Sequence, residues 1–156
     1  MIPTTPPIMI ITDFNRKLSE AKEKHLLGKI DGDPFYTSPH GYKFKMGVEL
    51  NQTRERYKDH MAVYLHVMKS EHDAILSWPF KKMFTFTLID QQDNEEERKN
   101  IVKTRTPLIG YLYSFKRPIE EENMGCGFAA FVSHATLQTR KYIKDDTVFI
   151  TVSIEQ

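Results

Sequence analysis

The chain of 156 residues fits one domain, and its 40% hydrophobic content, with 12% aromatic residues, is enough to fill a small core. Lys and Arg number 22 against 21 Asp and Glu, a formal net charge of +1, so no global field draws the chain to nucleic acid or to an anionic membrane. The one cysteine, Cys126, has no partner for an internal disulfide and no apolar run is long enough to span a bilayer, which sets the expectation of a cytoplasmic protein without membrane insertion.

Pro3, Pro6 and Pro7 make residues 1–7 an extended lead-in that no coiled coil crosses, and residues 8–156 form the domain. Ile8 to Thr12 reads as a short strand. Asp13 then offers an N-cap to a helix over Phe14 to His25, with Gly28 as its stop. From Tyr42 to Leu50 the apolar set Tyr42, Phe44, Met46, Val48, Leu50 alternates with Lys43, Lys45, Gly47, Glu49, which is a strand with one wet face. From His60 to Met68 the set Met61, Val63, Leu65, Val67 alternates with His60, Ala62, Tyr64, His66. The polar segment between the two runs predicts an antiparallel hairpin. Phe84, Phe86 and Leu88 begin another alternating run, as do Val148, Ile150, Val152 and Ile154 near the end. A strand at Phe128 to Val132, one weak strand between Asn100 and Phe115 and a helical turn after Ser133 complete the set. The expectation is all-β: an eight-stranded antiparallel β-sandwich with one short N-terminal helix.

No sequence constellation supplies enzymatic chemistry. The histidines lack metal-binding spacing, no phosphate-binding glycine loop occurs, and Cys126 has no identifiable base or oxyanion donor beside it. The expected cofactors and metal ligands are therefore none. Trp78 and Phe80 around Pro79 read as core rather than as a ligand platform.

Several segments in order resemble the C-terminal TRAF domain, the MATH fold of the tumour-necrosis-factor-receptor-associated factors. Ile11-Thr12-Asp13-Phe14 resembles the opening I-S-D-F, with Met9 where the family usually has tryptophan. Phe35-Tyr36-Thr37-Ser38 and Gly41-Tyr42-Lys43 are similar to F-Y-T-S and G-Y-K. Leu76, Trp78, Pro79, Phe80 and then Leu88-Ile89-Asp90-Gln91 resemble L-x-W-P-F and L-L-D-Q. Phe115-Lys116-Arg117-Pro118 resembles F-Q-R-P, and Tyr142 to Thr147 resembles the closing Y-I-K-D-D-T, a string shared with the type-six branch.

The resemblance implies a trimeric signalling adaptor that binds short extended segments of receptor or adaptor cytoplasmic tails by adding a strand to a sheet edge. The matching edge is Gly125, Cys126, Gly127, Phe128 and Ala129; glycines there also fit a bulge or turn. By resemblance, Gly47 and Glu49 stand where many relatives carry an arginine and an aromatic or imidazole that read an acidic peptide residue, Tyr64 falls on an aromatic wall, and Phe128 resembles another aromatic wall of that groove. Leu112, Tyr113, Ser114 and Phe115 occupy the place of a serine row in some branches, and their apolar filling is closer to the type-six branch. Without a preceding coiled coil, trimerisation of the fragment is expected to be weak. The alternatives are a MATH substrate-recognition domain of a ubiquitin-pathway protein and an oligomerisation module with a decayed groove.

Overall fold

The computed structural model describes residues 6–156; Pro3 and its neighbours in the lead-in lie outside the described residues. Pro7 is tied down, its carbonyl accepting from Val152 N at 3.1 Å.

Alternation of β-branched and aromatic residues with polar ones gives two antiparallel sheets packed face to face. The first holds β1 (Ile8–Ile11), β6 (Phe84–Leu88), β7 (Ile101–Arg105) and β9 (Val148–Ile154), in the order β1-β9-β6-β7. The second holds β2 (Lys29–Asp31), β4 (Lys43–Glu49), β5 (His60–Met68) and β8 (Cys126–Ser133), in the order β2-β4-β5-β8, with β3 (Phe35–Tyr36) also paired to β4. The β4–β5 hairpin has the expected antiparallel register, Met46 opposite Leu65 and Gly47 opposite Tyr64. The described residues thus hold nine strands where eight were expected. Strands β2 and β3 are three and two residues long, too short for a period of two to register in the sequence.

The central inward residues of the alternating runs are buried, namely Phe44, Met46 and Val48; Met61, Val63 and Leu65; Phe84, Phe86 and Leu88; Val148, Ile150 and Val152, while Tyr42 and Ile154 at the ends are half-buried. Phe80, Phe115 and Phe131 join them, with Phe115 5.9 Å from both Phe80 and Phe84 between ring centroids. Each such side chain contributes roughly 1.5–3 kcal/mol by leaving water. Trp78 stands at the margin of this core, edge-on to Tyr42 at 5.0 Å and donating from Nε1 to Asp73 O at 2.9 Å.

Helix α1 (Phe14–Glu23) places Phe14, Leu18 and Ala21 on the core at helical spacing. Asp13 adopts a left-handed conformation and its carboxylate pairs with Arg16 instead of capping the helix. Nor does Gly28 stop the helix. The left-handed C′ residue is His25, with Leu26 N bonding Ala21 O at 2.9 Å and His25 N bonding Lys22 O at 3.3 Å. Among the described residues the other α-helices are α2 (Leu112–Phe115) and α3 (His134–Leu137), the latter following Ser133 as expected and capped by its hydroxyl.

The short family-like strings mostly brace this frame. Asp90, fully buried, accepts from Arg140 Nε at 2.7 Å and from the Lys99 amide at 3.0 Å. Burial pushes its pKa up, but the Arg140 and Lys99 hydrogen bonds push harder in the other direction and hold it below the ordinary aspartate value. Gln91 donates to Tyr142 O at 3.0 Å and Thr147 O at 2.9 Å, locking the Tyr-Ile-Lys-Asp-Asp-Thr turn to the end of β6.

Candidate peptide-binding groove

Because β4 and β5 send their odd and even residues, respectively, away from the core, the outer face of the five-stranded sheet carries Lys45, Gly47 and Glu49 beside Tyr64 and His66. A concavity of about 880 Å³ lies on this face. Its walls include Asp31 from β2, Glu122 and Asn123 before β8, and Gly125. The register aligns Asp31, Gly47, Tyr64 and Gly127 in one row across four strands.

Two glycines give the groove its shape. A Cβ on Gly125 would lie 2.7 Å from His66 Cε1, and one on Gly47 would lie 3.1 Å from His66 Nε2, so the imidazole occupies room left by both. Its Nδ1 sits 3.0 Å from Asn123 O and 3.2 Å from Glu122 Oε2. A carbonyl only accepts, so Nδ1 carries a hydrogen. Lys45 bonds Glu122 Oε1 at 2.6 Å and approaches Asp31 Oδ1 at 3.4 Å. Burial works against its ammonium, yet the Glu122 hydrogen bond and the two carboxylate charges more than offset this and hold its pKa above the usual lysine range. Glu49 accepts from Gln52 Nε2 at 2.7 Å and faces Lys29 across the β2 pairing. Burial, then the Glu49 charge, raise the Tyr64 hydroxyl above its usual pKa, so it stays protonated and able to donate.

Strand β8 terminates its sheet, with β5 as its strand neighbour among the described residues. Its outer side is partly covered from β7. Lys103 Nζ donates to Ala130 O at 3.2 Å and Arg105 donates to Gly127 O at 2.5 Å. The Arg105 guanidinium also lies 4.4 Å from the Phe128 ring centroid. Gly127 is required by the sheet itself, since a Cβ there would run into Val63 O and come 2.9 Å from Tyr64 Cα. The register between β5 and β8 is regular at Gly127 and shifts beyond Phe128, between Met61 and Val63 on β5, so the irregularity lies away from the glycine pair.

The structure separates the residues singled out from sequence. Gly47, Glu49, Tyr64 and Gly125 line the concavity. Phe128 stands opposite Val63, on the inner face, against Phe86 at 6.3 Å and Phe131 at 6.2 Å, so it shares no wall with Tyr64. Cys126 likewise faces inward opposite Leu65, and burial pushes its thiol above the usual pKa, which disfavours the thiolate. Gly127 and Ala129 are half-buried along the edge strand. Leu112 and Tyr113 project from α2 into solvent, whereas Ser114 and Phe115 are buried beneath them. Asn123 ties this segment to the groove, donating from Nδ2 to Ser114 O at 3.1 Å and Lys116 O at 2.8 Å. His66, Glu122 and Asn123 were not singled out from the sequence. Strand parity placed His66 beside Tyr64, but Glu122 and Asn123 lie in an acidic loop with no periodicity. Among the described residues no group of three or more His, Cys, Asp or Glu side chains is arranged to hold a metal ion, and no helix is long and apolar enough to cross a membrane.

The family model described as TRAF/meprin, MATH domain matches residues 28–151. TNF receptor-associated factor 5 of Mus musculus is 37% identical over 147 residues, covering 93% of this chain and 25% of the relative. TNF receptor-associated factor 2 of Homo sapiens is 31% identical over 146 residues, covering 93% of this chain and 28% of that protein. TNF receptor-associated factor 6-B of Xenopus laevis is 26% identical over 141 residues, covering 88% of this chain and 25% of the relative. Identity to this type-six relative is thus lower than to the type-five one, which departs from the branch that the Leu112 to Phe115 segment suggests. The solved structure of Notothenia coriiceps TRAF5 superposes with a TM-score of 0.86 at 29% identity, covering 96% of this chain and 72% of that one. The chain spans about a quarter of the length of these curated relatives.

Proposed function

The chain belongs to the TRAF/meprin MATH domain family, and we propose that it is a cytoplasmic signalling adaptor domain that binds short extended segments of receptor or adaptor tails. The names of the relatives state an association with TNF receptors. The observation that carries this reading is the meeting of a sheet-terminal strand, β8, with an open concavity on the outer face of the same sheet. An added peptide strand gains backbone hydrogen bonds from such an edge, and its alternate side chains enter the concavity.

In this reading Gly125, Cys126, Gly127 and Ala129 supply backbone, while Gly47, Glu49 and Tyr64 meet side chains. Leu112 and Tyr113 form an apolar rim. Ser114, Phe115 and Phe128 hold the surface from below. A peptide on this edge shares the Gly127 and Ala130 carbonyls with Arg105 and Lys103, which favours modest affinity. Three-fold self-association belongs to the same proposal, since a closed trimer presents three equivalent grooves to a clustered receptor.

Backbone NMR shift mapping with a panel of extended tail peptides tests the site. Perturbations are expected at Gly47, Tyr64 and residues 125–129. Shifts confined to the β1-β9-β6-β7 sheet would overturn the assignment. Sedimentation equilibrium tests assembly, and a concentration-independent dimer would count against the trimer.

A further inference from the structure

The groove holds one acceptor that the fold leaves unused. His66 Nδ1 donates toward Asn123 O at 3.0 Å, so in the neutral imidazole the lone pair sits on Nε2. Among the described residues Nε2 has no hydrogen-bond partner. Gly47 leaves a notch directly beside it. The point where a Cβ would stand is 3.1 Å from His66 Nε2 and 3.8 Å from Asp31 Oδ1. Two acceptors from different strands therefore border the concavity beside Gly47, which has no side chain to cover them.

Lys45 is the cation of the cluster, at 2.6 Å from Glu122 and 3.4 Å from Asp31. Within this ion-paired cluster one cation meets two carboxylates, while Lys29, Arg54 and Glu49 add two cations and one carboxylate elsewhere on the lining of the concavity. Asp31 is the less committed carboxylate, its side chain 66% exposed and its contact with Lys45 the longer one.

We propose that the Gly47 notch is a pocket for a basic peptide side chain, a lysine ammonium or arginine guanidinium donating to His66 Nε2 and Asp31. The inference rests on the groove reading above and makes His66 its specificity-determining residue. An acidic peptide residue meets the Asp31 carboxylate there and is disfavoured. The charged groups that line the concavity with the imidazole are Lys29, Asp31, Lys45, Glu49, Arg54 and Glu122, with Glu122 at 3.2 Å from Nδ1.

The test uses the whole chain and a library of capped extended hexapeptides in which each position in turn is lysine, norleucine or glutamate, read by fluorescence polarisation. At one position lysine is expected to bind about tenfold tighter than norleucine, the gain from a charge-assisted hydrogen bond. His66→Phe, which removes the Nε2 acceptor, should cut that advantage. Asp31→Asn, at an exposed site, should cut the lysine advantage by about threefold or more. Gly47→Val, which fills the notch, should abolish it. If peptides bind with no lysine preference at any position, or prefer glutamate, this inference fails and the groove reading stands. If no peptide binds at all, both fall.

Discussion

The two sides of β8 use their cations in opposite ways. On the β7 side, Arg105 and Lys103 are spent on groups of the fold itself: the faces of Phe128 and Phe131 and the carbonyls of Gly127 and Ala130. On the outer face of the sheet, Lys45 is held by Glu122 and Asp31, which leaves carboxylate and imidazole acceptors turned to solvent. The first side is a seam between two sheets that covers part of the β8 edge. The second is an open groove. Stability resides at the seam and recognition at the groove, and substitutions on the two sides should separate accordingly.

The largest expected effect is at the seam strand. Gly127→Ala would drive a methyl group into Val63 O and against Tyr64 Cα, and should cost about 3 kcal/mol or more in urea unfolding. Next is Arg105→Ala, which removes the guanidinium from the Phe128 face and from Gly127 O. It should cost about 2 kcal/mol, with the loss read as a lower denaturation midpoint.

A smaller effect separates two histidines. His134, at the far end of β8, donates from Nε2 to Leu50 O at 2.8 Å, and its Nδ1 is buried without a partner. Burial lowers its pKa in the folded state. The unfolded chain therefore binds the proton more readily. This contribution to stability is complete above about pH 6.5 and is lost as pH falls below that toward the folded value. His134→Gln should flatten the slope of thermal stability between about pH 7 and pH 5. The same substitution should leave the lysine-peptide preference in place, because that belongs to His66.

The smallest stability effect is expected at the groove. Gly47→Ala brings a methyl group to 3.1 Å from a partly exposed imidazole that has room to tilt, so the cost should stay near 0.5 kcal/mol or less. Its signature is instead a displaced His66 ring resonance and altered peptide preference. A large loss of stability in this variant would place the groove glycine in the same structural class as Gly127 and dissolve the contrast between the two sides.

The contrast also shows why parts of the site were illegible in sequence. Gly125 and Gly127 look alike as a Gly-Cys-Gly string, yet one makes room for a side chain and the other for the neighbouring backbone. Phe128 and Tyr64 look like two walls of one pocket until the register pairs Phe128 with Val63 and turns it to the other face. Local pattern carries no information on which strand lies beside which.

What the sequence determined by itself is the set of long strands, their inward residues and the hairpin of β4 and β5. A period of two fixes which side chains share a face once a strand exists, and apolar side chains leave water wherever the neighbours fall. It also supplied the family strings, several of which serve as braces around Asp90 and Gln91. Tertiary structure alone decided that β8 ends its sheet beside β7, that Glu122 and Asn123 meet His66 from a loop 57 positions away in the case of Asn123, and that Gly47 leaves a notch between two acceptors. Those relations depend on strand order and register across long sequence separations, which short-range periodicity does not encode.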